Sequence, residues 1–259
     1  MPDALADLNR VLAPLPRLAV AVSGGVDSLT LAFVASRVVS DFRCIHAVSP
    51  SVPPEATERV RRYAAQYDWS LDVVESGEFA DPNYRSNPHN RCYFCKQNLY
   101  ATMASRFDGP LASGTNLDDL GDYRPGLNAA REFNVRHPFV EARIGKDALR
   151  EIARKFGLED IAALPAQPCL SSRITTGLQI READLQFVDR IEKLLRPYVT
   201  GGDLRCRITP EGVKIEANDM SSAAEQLVRE ACKRAGRLYL GVRPYARGSA
   251  FLRPVTDAD

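Results

Sequence analysis

Little in this chain is extreme, and several things are scarce. It has one tryptophan, three histidines and three methionines in 259 residues. No apolar run approaches the roughly 20 residues that span a bilayer. Met1-Pro2-Asp3-Ala4 lacks the charged and apolar regions of a signal peptide, so a cytoplasmic protein without membrane contact is expected. Neither sign of charge is in excess: 34 basic against 33 acidic side chains give a formal net charge of +1. Residues 1–168 carry 19 basic and 21 acidic side chains and residues 169–259 carry 15 and 12, so only the C-terminal part is faintly basic. That balance speaks against a polyanionic partner such as nucleic acid. No internal repeat or low-complexity segment is present. The six cysteines, Cys44, Cys92, Cys95, Cys169, Cys206 and Cys232, do not form a disulfide framework in a reducing compartment. Cys44 lies in a strand pattern and Cys232 in a helical one, where packing in a core is the default.

What is present is enough for a full core, at 45% hydrophobic and 26% charged residues, and two domains are expected, 1–168 and 169–259. In the first, a short amphipathic helix over 3–12 stops at Pro14 and Pro16. Apolar strand-length runs at 18–22, 43–48 and 71–74, and a short buried strand with a glycine turn within 109–116, then alternate with helical spacings such as Leu29, Phe33, Val34 and Val38, and Leu149, Ile152, Ala153 and Phe156. Such alternation implies a parallel sheet covered on both faces, with ligands at the carboxyl ends of its strands. The C-terminal part changes character. A helix over 181–197, alternating strands at 204–208 and 213–216, a helix over 222–235 and a strand at 237–240 predict a small α+β domain. The fold class is therefore α/β, a parallel-sheet domain followed by a small α+β one.

The first strand runs into Ser23-Gly24-Gly25-Val26-Asp27-Ser28 and then a helix. Two glycines leave no Cβ between backbone and ligand, so amides of the turn and first helical turn can point at one anion. The hydroxyls of Ser23 and Ser28 add donors, and Asp27 can hold the magnesium of a nucleotide. No Lys-Ser or Lys-Thr pair follows, which excludes the Walker pattern. Tight packing of the turn is the competing explanation. Residues 77–91, with Gly77, Pro82, Asn83, Asn87, Pro88 and Asn90, read as a loop. It ends at Arg91-Cys92-Tyr93-Phe94-Cys95-Lys96, a thiol pair at a helix start between two cations, which favours thiolates. A redox pair, half a zinc site, or two of three iron–sulfur ligands all fit. After Gly114-Thr115-Asn116 come Asp118, Asp119 and Asp122, carboxylates at a strand end suited to a metal, a substrate or a helix cap. Pro168-Cys169-Leu170-Ser171-Ser172-Arg173 places a thiol after proline in a loop, next to hydroxyls and an arginine, more like a site than a core. A packed loop cysteine is the alternative. His46 lies inside an apolar strand and reads as a core or edge histidine.

Taken together, these runs resemble the LarE family of PP-loop sulfur transferases. S-G-G-V-D-S at 23–28, N-P-x-x-R-C-Y-x-C-K at 87–96, G-T-N-x-D-D-x-x-D-Y-R-P-G at 114–126 and C-L-x-S-R at 169–173 occur in that family's order, over about the first 180 residues. The resemblance implies a PP-loop ATP pyrophosphatase domain of the adenine nucleotide alpha hydrolase kind. It also implies cleavage of ATP to AMP and pyrophosphate with Mg²⁺. The nucleotide would be held by Ser23, Gly24, Gly25, Val26, Asp27 and Ser28 with Gly114 and Asp122. The implied substrate is pyridinium-3,5-biscarboxylic acid mononucleotide, one carboxylate of which is adenylated and becomes a thiocarboxylate for the nickel-pincer nucleotide of lactate racemase. Cys169 matches the sulfur-bearing cysteine, Asp27 the metal ligand and Arg173 a residue steadying the substrate. Arg205, with Arg207, falls where the family binds phosphate. Tyr245-Ala246-Arg247-Gly248-Ser249 departs from the family's Y-R-x-G-S by one position. Some members sacrifice the cysteine's own sulfur. Others hold a [4Fe-4S] cluster on three cysteines, which Cys92, Cys95 and Cys169 supply here, and the cluster type is the expectation. Family members can assemble as hexamers. A PP-loop tRNA thiolase carrying a three-cysteine iron–sulfur cluster is the alternative. Amide-forming synthetases of the NAD or GMP kind need no cysteine trio, and a binding-only module leaves the convergence of loop, carboxylates and thiols unexplained.

Overall fold

The computed structural model describes residues 3–121, 123–199 and 204–245. Asp122 and the run 246–249 therefore lie outside the described residues. In chain order the elements are α1 (Ala4–Leu12), β1 (Arg17–Ala21), α2 (Val26–Val38), β2 (Asp41–Val48), α3 (Pro54–Gln66), β3 (Leu71–Glu75), α4 (Pro82–Arg85), α5 (Arg91–Arg106) and β4 (Leu111–Ser113). They continue as α6 (Gly126–Glu132), α7 (Pro138–Glu141), α8 (Lys146–Lys155), α9 (Glu159–Ala162), α10 (Glu182–Leu195), β5 (Leu204–Ile208), β6 (Val213–Ala217), α11 (Ser222–Arg234) and β7 (Tyr239–Arg243). The chain divides into two compact units, the first running to Asp81 and resuming over Cys92–Gln167, the second made of Pro82–Arg91 and the residues from Pro168 onward. Among the described residues no helix is long and apolar enough to cross a membrane.

The first unit is an α/β layer structure on a four-stranded, wholly parallel sheet in the order β3-β2-β1-β4. Successive side chains of β1 point to opposite faces, as the period of two requires. Leu18 and Val20 enter the core shared with α1, α2 and α8, whereas Ala19 and Ala21 enter the core with Leu99, Tyr100 and Met103 of α5. Both faces are covered, so the strands read as continuous apolar runs. The chain steps outward from β1 to β2 to β3 and then returns to the other side of β1 for β4. The carboxyl ends of β1 and β4 thus flank the point where the strand order reverses, the crevice where open α/β sheets bind ligands.

In the second unit β5 pairs antiparallel with β6, and β6 pairs parallel with β7 across a register shift between Val213 and Ile215. Leu185, Val188, Ile191 and Leu195 of α10 are buried, as are Ala224, Val228 and Cys232 of α11. Two local readings change. The stretch 77–91 is not all loop: Pro82 opens a single helical turn, where its fixed φ suits the first position, and Tyr84 is buried. The last strand begins at Tyr239 rather than Arg237, because the Arg237 amide donates to the Cys232 carbonyl and still closes α11, with Gly236 at φ +65°.

Candidate functional site

The turn after β1 is built by hydroxyls and a glycine. The Ser23 amide donates to Ser28 Oγ at 3.0 Å, the two hydroxyls lie 3.1 Å apart, and Ser28 Oγ donates to the Gly25 carbonyl at 3.3 Å. Gly24 adopts φ +82°, and a Cβ there would stand 2.6 Å from the Ala56 carbonyl oxygen. Backbone conformation and close approach both demand glycine. Arg59 of α3 donates to the Gly24 carbonyl at 2.6 Å. Gly25 caps α2 without a side-chain hydrogen bond, and Val26 is its first residue, so no side chain of the cap covers the first-turn amides.

Gly114, after β4, meets this turn directly: a Cβ on it would lie 2.7 Å from the Ser28 nitrogen and 2.8 Å from the Asp27 carbonyl carbon. The two loops at the strand-order reversal therefore touch through backbone. Asp27 is half-buried. Its Oδ2 accepts from Lys146 Nζ at 2.7 Å, and its Oδ1 is buried with no hydrogen-bond partner. Burial raises the Asp27 carboxyl above its ordinary value, and Lys146 opposes that shift. A half-open carboxylate beside a glycine-lined turn is chemically suited to a hard cation. The carboxylates after Gly114 organise the same edge. Asp118 Oδ2 accepts the Lys146 amide at 2.5 Å, the Asp118 amide donates to Asn116 Oδ1 at 3.0 Å, and Asp119 Oδ2 accepts the Asn116 amide at 3.1 Å. Asp119 also pairs with Arg124 at 2.7 Å. Asp118 thus positions Lys146 by its backbone, and Lys146 holds Asp27 by its side chain.

Ser113, the last residue of β4, bonds His137 Nδ1 at 2.9 Å and Thr115 Oγ1 at 3.0 Å. Burial lowers the His137 pKa. His46 is a core residue: Nδ1 faces the Val22 carbonyl at 2.7 Å and must carry the proton, so Nε2 accepts from Thr57 Oγ1 at 2.9 Å. It ties the end of β1 to α3 just before the turn. Burial lowers its pKa, with the Val22 contact acting the other way.

Cys92 and Cys95 are half-buried on the first turn of α5, at the three-residue spacing that puts both on one face. Gly126 lets α6 approach them: a Cβ there would sit 3.3 Å from the Cys92 carbonyl oxygen and 2.9 Å from Lys96 Cγ. The motif 114–126 therefore reaches from the Asp27 turn at one end to the thiol-bearing turn at the other, within one unit. Cys169 belongs to the second unit, where it is exposed and precedes the 3₁₀ turn Leu170–Arg173. Arg173 is 5% exposed and pairs in bidentate fashion with Glu192, Nε to Oε1 at 2.9 Å and Nη2 to Oε2 at 2.8 Å. Burial works against its charge, but Glu192 outweighs that and holds the guanidinium above its ordinary value. Arg205 is buried in β5 and stands over the Tyr245 ring at 5.4 Å; burial lowers its pKa, and Arg173 adds to the effect. Arg207 pairs with Glu216 at 2.9 Å. Among the described residues no group of three or more His, Cys, Asp or Glu side chains is assembled around a metal position.

Sequence patterns did not single out Lys146, His137, Arg59, Glu192 or Glu216. Lys146 opens an ordinary amphipathic helix, and its partner Asp27 is 119 residues away.

No protein-family model matches the chain. An uncharacterized protein of Synechocystis, slr1717, is 42% identical over 202 residues, covering 74% of this chain and 73% of its own length. An uncharacterized protein of Methanocaldococcus jannaschii, MJ0830, is 30% identical over 207 residues, with 78% of each chain covered. The pyridinium-3,5-bisthiocarboxylic acid mononucleotide synthase of Lactiplantibacillus plantarum is 26% identical over 197 residues, covering 74% of this chain and 71% of that enzyme.

Proposed function

The chain belongs to the family of the Synechocystis protein slr1717 and the M. jannaschii protein MJ0830; from its likeness to the L. plantarum synthase and from the turn after β1 we propose an ATP-dependent sulfur transferase. Its acceptor is a carboxylate of pyridinium-3,5-dicarboxylate mononucleotide, in keeping with the likeness to the L. plantarum synthase. The observation that carries the ATP half is the turn where β1 and β4 part, with Gly24 and Gly114 admitting no Cβ and Asp27 Oδ1 buried without a partner. Ser23, Gly24, Gly25, Val26 and Ser28 would face the phosphates and Asp27 the magnesium. A carboxylate is a poor electrophile, and adenylation gives it a leaving group whose developing charge such a cradle stabilises. The carboxylate oxygen attacks the α-phosphorus and pyrophosphate departs. A sulfur nucleophile then attacks the acyl carbon and AMP departs.

Cys169 carries the sulfur step, being an exposed thiol on a held loop. In the cluster route, Cys92, Cys95 and Cys169 would supply the three thiolates of a [4Fe-4S] cluster, whose remaining iron would take up exogenous sulfide. Without a cluster, the thiolate of Cys169 forms a thioester, and loss of its Cα proton breaks the Cβ–Sγ bond, leaving dehydroalanine and the thiocarboxylate.

Incubation with ATP, Mg²⁺ and the pyridinium nucleotide is expected to give AMP, pyrophosphate and a product heavier by the difference between sulfur and oxygen. Release of ADP, or thiolation of bulk tRNA in place of the nucleotide, overturns the reading. Asp27→Asn is expected to abolish pyrophosphate release with the fold retained, measured by product chromatography and circular dichroism. Anaerobic reconstitution separates the sulfur routes: about four irons per chain, lost in each single Cys→Ala variant, supports the cluster. A colourless active chain in which Cys169 loses the mass of H₂S supports sacrifice.

A further inference from the structure

We infer that Arg173, which the resemblance gave to the substrate, is instead a positioning residue for Cys169, and that Arg207 shares that role, both acting through the backbone that carries the thiol; the inference rests on the sulfur-transfer role given above to Cys169. Arg173 does not face solvent, and each of its nitrogens is engaged. Nε and Nη2 are taken by Glu192, a planar fork meeting a carboxylate. That pairing aims Nη1 at the thiol-bearing segment, where it donates to the Pro168 carbonyl at 2.6 Å, the Cys169 carbonyl at 3.2 Å and Ser172 Oγ at 3.0 Å. Both peptide carbonyls flanking the Cys169 α-carbon therefore end on one buried cation.

Arg207 repeats the device from β5. Its Nε binds Glu216 at 2.9 Å, and its Nη1 donates to the Ser172 carbonyl at 2.7 Å. Segment 82–91 holds the far side of the loop: Tyr84 OH lies 2.8 Å from Ser171 Oγ, and Asn87 Nδ2 donates to the Thr175 carbonyl at 2.9 Å. Arg91 in turn donates to Asn87 Oδ1 at 2.6 Å. The Asn and Arg of the N-P-x-x-R run thereby gain a purpose separate from the thiols that follow them. Inside the loop, the Ser172 amide donates to the Cys169 carbonyl at 3.0 Å and the Ile174 amide to the Ser171 carbonyl at 3.1 Å. Two buried arginines, each neutralised by its own glutamate, make a rigid seat for a side chain that itself stays exposed.

A seat of this kind matters for sulfur attack on an acyl carbon, because a misplacement of about 1 Å can cost roughly 100-fold in rate. It does not matter for adenylation, which takes place on the other unit. Lysine retains the charge but has one nitrogen, which cannot serve both the glutamate and the loop carbonyls. In Arg173→Lys the expected result is a loss of ~10-fold or more in thio-product formation, with substrate-dependent pyrophosphate release and the KM for the nucleotide unchanged within about twofold. In Arg207→Lys thio-product formation is likewise expected to fall. Hydrogen exchange of the Ser172 and Ile174 amides is expected to quicken in both variants, while amides of β1 and β2 keep their protection. A raised KM with unchanged loop exchange would make Arg173 a substrate contact and overturn the inference. So would wild-type thio-product formation in both variants, or equal loss of pyrophosphate release and product. Should the wild-type protein make no thio-product, the functional reading falls separately, and unchanged exchange at Ser172 and Ile174 then overturns the positioning role.

Discussion

At the scale of single residues, burial sets the electrostatics and a specific partner decides which way each group leans. Asp27 is pushed up by burial and pulled back by Lys146, which binds Oδ2 while Oδ1 lies buried without a hydrogen-bond partner. His46 has no acidic partner, and burial leaves it neutral with Nδ1 bonded to the Val22 carbonyl. Because its folded pKa is depressed, the unfolded chain binds the proton more readily, and stability is present above the ordinary histidine pKa and lost as pH falls from there through the lower folded value. His137 acts in the same direction. Urea unfolding is expected to show stability declining as pH falls below about 6.5, the ordinary histidine value. His46→Gln is expected to flatten part of that slope without removing it. An unchanged slope in the variant would show that His46 is not the group titrating.

At the scale of elements, the candidate site depends on how closely loops approach one another. Gly114 lies against the backbone of Ser28 and Asp27, which cannot give way as a side chain would. Gly114→Ala is expected to cost about 1–3 kcal/mol in urea unfolding, the range for forced overpacking. It is also expected to weaken nucleotide binding in titrations with a fluorescent ATP analogue. Gly121 is the control, since a Cβ there meets nothing within 4 Å. Gly121→Ala is expected to change stability by less than about 0.5 kcal/mol. Equal effects at both sites would remove the close approach as the cause. Helix α8 itself was readable: it buries Leu149, Ile152 and Ala153 on one face, and Gly157 at φ +71° follows its end. That Lys146 at its first position also serves Asp27 was not readable, since one lysine at a helix start has no pattern.

At the scale of the whole molecule, the turn at 23–28 and the exposed thiol of Cys169 belong to different compact units. The two half-reactions of the proposed function are therefore expected to separate by mutation. Cys169→Ala is expected to retain substrate-dependent pyrophosphate release, with no thio-product formed, as measured by a coupled pyrophosphate assay and mass spectrometry of the nucleotide. Loss of pyrophosphate release in that variant would place Cys169 in the adenylation step. The assignment of Pro82–Arg91 to the second unit is likewise a whole-molecule property. Its contacts run from Asn87 to Thr175, 88 residues apart, and from Tyr84 to Ser171, 87 apart.

The sequence alone determined the four parallel strands, their helices and the turn at 23–28, because a period of two or 3.6 and the punctuation of glycine and proline are local properties of the chain. It also set Cys92, Cys95 and Cys169 apart from Cys44 and Cys232, whose thiols are buried. Tertiary structure alone decided that β4 lies beside β1, which brings Gly114 against the Asp27 turn. It also decided that Arg173 points inward to Glu192 and to the carbonyls around Cys169. An arginine's neighbours in sequence do not say whether its donors meet solvent, a substrate or a buried carboxylate. That is settled only when distant segments fold together and a buried charge must find its partner.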